Sequence, residues 1–151
     1  MRTALFLPIF AVAVYLFRDN LRWQDYYLGW PFFASVALGH LVSFFISYAM
    51  GLLALHFVET RSLFNFWYMP LLVFSGQVAP LAMFPPTVQR IAEVLPFRYT
   101  VALPTEIFLG RLSPSQMQQG LLWQLAWIGI AYVIGWLLWR TGVKRFTGVG
   151  L

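Results

Sequence analysis

The side chains able to do acid–base or metal chemistry are few: two histidines, five carboxylates and no cysteine in 151 residues. His40 and His56 lie on one apolar segment, sixteen positions apart. At a helical rise that separation is about 24 Å, too far to share a metal ion. His40 sits beside small residues, where it could bond across a helix interface or touch a ligand; His56 sits near the segment's end. Without cysteine there is no disulfide framework, thiolate metal site or thiol nucleophile. Among the acids, Glu93 has Arg90 and Arg98 close by in sequence and reads as solvated. Glu106 lies between Pro104 and Gly110, where it could either attract a cation or simply face water. No two polar groups form a convincing catalytic pair, and no Gly-x-x-x-x-Gly-Lys-Ser/Thr stretch is present, so the chain hydrolyses no nucleotide by that machinery. Neither an enzyme nor a cofactor site is expected.

The elements that must position these residues are apolar. The chain is 60% hydrophobic and 10% charged, against about 25% charged for a soluble domain. The expected class is therefore all-α and integral to the membrane, in a single domain. Apolar segments at about 3–17, 31–57, 63–79 and 120–139 give about four spans. Arg18, Asp19 and Asn20 follow the first, where a signal peptide would show a small-residue cleavage site, so a retained helix is expected. Trp23, Tyr26, Tyr27 and Trp30 form an interfacial aromatic belt, and Trp123, Trp136 and Trp139 mark the two interfaces of the last span. Ser113-Pro114 resembles a helix start.

The second segment carries a stripe, Ser35, Gly39, Ser43, Ser47 and Gly51, recurring every four residues. Small side chains let membrane helices approach closely, because lipid supplies no hydrophobic drive between them. Between the third and fourth segments, breakers are dense. Two short apolar pieces there, about 86–95 and 99–110, cannot cross a bilayer and fit a re-entrant pair. Irregular backbone at membrane depth is tolerated only when buried in protein or beside a wet cavity. Gly76, Pro80, Phe84, Pro85, Pro96, Phe97, Pro104 and Gly110 are expected to set the shape and gating of this region, with the phenylalanines either lining a path or packing. His40, Gln77 and Glu106 are candidate path-lining residues. Gln124 and Tyr132 could line it too, although gluing helices together is the commoner use of such groups.

The net charge is +5, scattered without a basic run, which favours membrane lipid rather than nucleic acid as a partner. With the C-terminus in the cytoplasm, five basic residues fall on each side. The cluster Arg140, Lys144 and Arg145 beside the last span places that end inside, in a cell inner (plasma) membrane.

Three pieces then fall in order: Ser75-Gly76-Gln77-Val78-Ala79-Pro80-Leu81-Ala82-Met83-Phe84-Pro85, Leu95-Pro96-Phe97-Arg98-Tyr99, and Pro104-Thr105-Glu106-Ile107-Phe108-Leu109-Gly110. With the basic, glycine-rich end from Gly142 to Gly150, they resemble ABC-2-type transporter permeases. Before Leu63 the likeness is one of hydropathy. The resemblance implies six spans per subunit, two subunits around a translocation path, a separate ABC ATPase bound to each, and two re-entrant helices between the fifth and sixth spans. Matched from the C-terminus, this chain supplies the last four spans and lacks the loop that docks on the ATPase. A late-start reading frame, a split permease and a degenerate copy would each give that pattern. The expected function is a permease subunit of an ATP-driven exporter of a small amphiphilic or cationic substrate, paired with itself or a related permease. The alternative is a structural or assembly subunit of a larger membrane complex.

Overall fold

A computed structural model of the chain describes residues 12, 15, 16, 26–57 and 61–146. The regular elements among those residues are all helical: α1 (Trp30–Leu52), α2 (Arg61–Phe74), α3 (Pro86–Val94), α4 (Ala102–Phe108) and α5 (Pro114–Phe146), with 3₁₀ turns at Leu53–Leu55 and Leu81–Met83. The expected first span, 3–17, lies outside the described residues except for Val12, Tyr15 and Leu16.

α1 opens with Pro31 in its first turn, where a missing N–H costs nothing. α5 opens on Ser113-Pro114 with a reciprocal cap. The Ser113 N–H donates to Gln116 Oε1 at 2.8 Å, and the Gln116 N–H donates back to Ser113 Oγ at 3.4 Å. α1 has 23 residues and α5 has 33, about 35 and 50 Å long at 1.5 Å per residue. Both are long and apolar enough to cross a membrane, whose hydrocarbon core is about 30 Å thick. Leu122 and Val133 on α5 and Phe44 on α1 are more than half exposed, as a lipid-facing surface requires.

α1 and α5 run parallel. Ser35 meets Gln124, Tyr48 and Ala49 meet Gly135, and Leu55 meets Gly142. The chain between them must therefore return from the end of α1 to the start of α5. α2 lies on that return, but it is shorter than the 63–79 expected. It stops at Phe74 because Gly76 takes a left-handed φ of 77°, a conformation that only glycine adopts at little cost.

The two short helices form a hairpin at the N-terminal ends of α1 and α5. They are shorter than the 86–95 and 99–110 expected, because residues 95–101 form a turn. There the N–H groups of Tyr99 and Thr100 donate to the Pro96 and Phe97 carbonyls at 3.1 Å each. α4 ends at a Schellman cap on Gly110 (φ 63°): Arg111 N–H donates to Glu106 O and Gly110 N–H to Ile107 O, both at 3.0 Å. Two small cores hold the hairpin. Tyr99, Leu103, Ile107 and Met117 form one; Leu81, Ala92 and Ala102, with Phe74 and Phe84, form the other.

Candidate functional site

The hairpin meets the two long helices at Gly39. A Cβ there would lie 2.9 Å from the Thr100 carbonyl oxygen and 3.0 Å from that of Tyr99, so the turn's backbone rests directly on α1. Beside this crossing Gln124 of α5 is fully buried. Its Nε2 donates to the Tyr99 carbonyl at 2.8 Å, the Ser35 carbonyl at 2.9 Å and Ser35 Oγ at 3.2 Å. One amide thus joins α1, the turn and α5, while its Oε1 meets no donor. Tyr99 is itself fixed: its hydroxyl donates to the Glu93 carbonyl at 2.5 Å, and burial pushes the phenol's pKa up.

Arg98, in the same turn, staples the hairpin. Its Nη2 donates to Glu106 Oε2 at 2.9 Å and its Nη1 to Glu93 Oε1 at 3.3 Å. The Glu106 side chain is 22% exposed and that of Glu93 58%. Screening by water leaves the second pair weak, whereas the first is a charge-assisted bond in a sheltered place.

Between α1, the end of α2 and α4 opens a cavity of about 510 Å³. His40, Ser43, Gln77, Thr100 and Thr105 supply its polar side chains, and Val36, Leu71, Pro104 and Phe108 are among its apolar ones. Of the candidate path-lining residues, the structure brings His40 and Gln77 together here, although 37 positions separate them in sequence. Glu106 is placed elsewhere, on Arg98. The small stripe divides. Ser35 and Gly39 are buried, and Gly39 and Ser43 reach the cavity; Ser47 lines a second cavity of about 300 Å³ with Met50, Trp67 and Tyr68. A Cβ on Gly51 would meet nothing within 4 Å. The cause is helical geometry: each four-residue step overshoots a full turn by about 40°. The buried seam instead continues through Val42, Ala49 and Leu52.

Of the shape-setting residues, Pro104 lines the cavity and Gly76 immediately precedes the lining residue Gln77. Gly76 and Gly110 hold the two positive φ angles among the described residues. Pro80 precedes the Leu81–Met83 turn, and Pro85 precedes α3. Pro96 and Pro104 are buried. Phe97 is 4% exposed, its ring 4.6 Å from that of Trp67 and 6.3 Å from that of Phe74, so it packs the hairpin onto α2. Phe84 packs against the second core. At the opposite end His56 Nε2 and Thr141 Oγ1 lie 3.0 Å apart, tying the residue after the Leu53–Leu55 turn to α5.

A family model described as ABC-2 family transporter protein matches residues 3–150. The chain belongs to that family. The match reaches back over the segments before Leu63, where the sequence offered only hydropathy. The chain is accordingly a membrane permease, the transmembrane and not the catalytic component of an ABC transporter. No curated protein and no solved structure matches it.

Proposed function

We propose that this permease forms part of the translocation path of an ATP-driven exporter, and that the path follows the cleft between α1, α2 and the hairpin. The observation that carries this reading is the 510 Å³ cavity, whose mostly apolar lining also holds His40, Ser43, Gln77, Thr100 and Thr105. Such a lining suits a small amphiphilic molecule, since apolar side chains surround isolated hydrogen-bonding groups. No carboxylate and no lysine or arginine is among the lining residues. The chain crosses the membrane about four times, the hairpin lies on the outer side, and the C-terminus with Arg140, Lys144 and Arg145 lies in the cytoplasm of a cell bounded by this inner membrane. Alternating exposure of the cleft, shaped by Gly76, Pro80, Pro85, Pro96, Pro104 and Gly110, moves the substrate. A separate ABC ATPase and a second permease chain complete the machine.

Affinity capture of the tagged chain from its own host's membranes in mild detergent tests this. The expected result is co-purification of an ATP-hydrolysing subunit with vanadate-sensitive activity above a mock capture. Capture of a membrane complex without ATP hydrolysis would contradict the exporter and favour a structural or assembly subunit.

A further inference from the structure

On the other side of the α1–α5 pair lies a groove of about 300 Å³, lined by six aromatic side chains: Phe44, Phe45 and Tyr48 from α1, and Tyr132, Trp136 and Trp139 from α5. The rings are ordered against one another. Phe45 meets Tyr132 edge-on at 5.9 Å, and Phe44 stacks on Tyr48 at 6.5 Å. The groove is distinct from the proposed path, sharing no lining residue with the 510 Å³ cavity. Its C-terminal end is basic. The guanidinium of Arg140 lies 5.3 Å over the Trp136 ring, is exposed, and pairs with no carboxylate among the described residues. Lys144 follows one turn later. No acidic residue occurs after Glu106, and none occurs between Trp30 and Phe57.

We propose that this groove is a binding site for an anionic phospholipid of the leaflet that holds the C-terminal end of α5. An acyl chain lies along the aromatic walls, and the phosphate is held at Arg140. The charge complementarity is one-sided, because the groove's mouth offers a cation and the two helices forming it offer no acid to repel the phosphate. Arginine suits the task by its planar donor fork and weak hydration, and basic pockets between spanning helices at the membrane surface are a recurring phospholipid-binding arrangement. The site rests on α5 crossing the membrane and is independent of whether the cleft transports anything.

The test uses the purified full chain in detergent, incubated with equimolar phosphatidylglycerol and phosphatidylcholine of identical acyl chains, with bound lipid read by native mass spectrometry. The wild type is expected to retain phosphatidylglycerol about five-fold over phosphatidylcholine, as one basic residue near a phosphate supplies. Arg140→Gln is expected to abolish that preference, and Arg140→Lys to keep most of it. Trp139→Ala is expected to lower retention of both lipids without changing their ratio. Should Arg140→Gln fail to stay monodisperse, raising salt from about 0.05 to about 0.5 M on the wild type must erode the preference. Equal retention of the two lipids by the wild type, or a preference unchanged by Arg140→Gln or by salt, would overturn the proposal.

Discussion

Gly39 and Gly51 sit on the same helix and in the same sequence stripe, yet the same substitution should move stability in opposite directions. At Gly39 an added Cβ falls 2.9 Å from one backbone carbonyl and 3.0 Å from another. Neither can swing away as a flexible side chain would, since both belong to a turn held by its own hydrogen bonds. Overpacking of this kind costs about 1–3 kcal/mol. Moving the turn also stretches the 2.8 Å bond from Gln124 to Tyr99, worth about 0.6 kcal/mol for an average bond between membrane helices. Against this stands a gain of about 0.5–1 kcal/mol from replacing glycine by alanine in a helix. Gly39→Ala should therefore lose about 0.6–3 kcal/mol. Gly51→Ala meets nothing within 4 Å and keeps only the gain, up to about 1 kcal/mol. The assay is equilibrium unfolding of the purified protein in mixed micelles with rising dodecyl sulfate, followed by far-ultraviolet ellipticity. If Gly39→Ala proves as stable as Gly51→Ala, the hairpin turn does not rest on α1 and the geometry of the crossing is wrong.

Two further outcomes follow from the same crossing and can be read in the same unfolding assay. Gln124→Leu, close in volume, should cost about 1–3 kcal/mol because it leaves the Tyr99 carbonyl and the Ser35 hydroxyl without their donor. The exposed neighbour Gln119→Leu should stay within about 0.5 kcal/mol of wild type. In the hairpin, Glu106→Gln should cost about 1–1.5 kcal/mol by replacing the charged acceptor of the sheltered 2.9 Å bond from Arg98 with a neutral one. Glu93→Gln should cost under about 1 kcal/mol, since that carboxylate is 58% exposed. Equal losses at the two glutamates would show that Arg98 does not discriminate between them.

Local punctuation was legible in the sequence. Ser113-Pro114 does start α5, and the region from Gly76 to Gly110 does break into two short helices, because proline and glycine act through their own backbone. What required the structure was long-range. The i+4 stripe promised one contact face, but accumulated rotation splits it between a buried seam and an open cleft, and a residue count alone does not show which residues stay in contact. Glu106 carried two readings, cation attraction or exposure to water, and neither anticipated Arg98, eight residues earlier, as its partner. That pairing depends on the turn at 95–101 folding α3 back beside α4. Gln124 drew notice as a polar residue in a span, but its three acceptors come from Ser35 and Tyr99, which only tertiary packing assembles. α1 and α5 were legible from apolar length, and α2 fell short of its apolar run because Gly76 ended it first.

The cleft can be probed directly because the chain contains no cysteine, so each introduced thiol is the only one present. Single variants His40→Cys, Gln77→Cys and Val133→Cys should be reacted, in intact membranes, with a membrane-impermeant maleimide. A thiol reacts as its thiolate, which forms in water and is suppressed in hydrocarbon. With a water-accessible cleft between α1 and the hairpin, positions 40 and 77 label readily, and position 133, exposed on α5 to lipid, does not. Equal protection of all three positions, or labelling at 133 alone, would contradict a translocation path through this cleft.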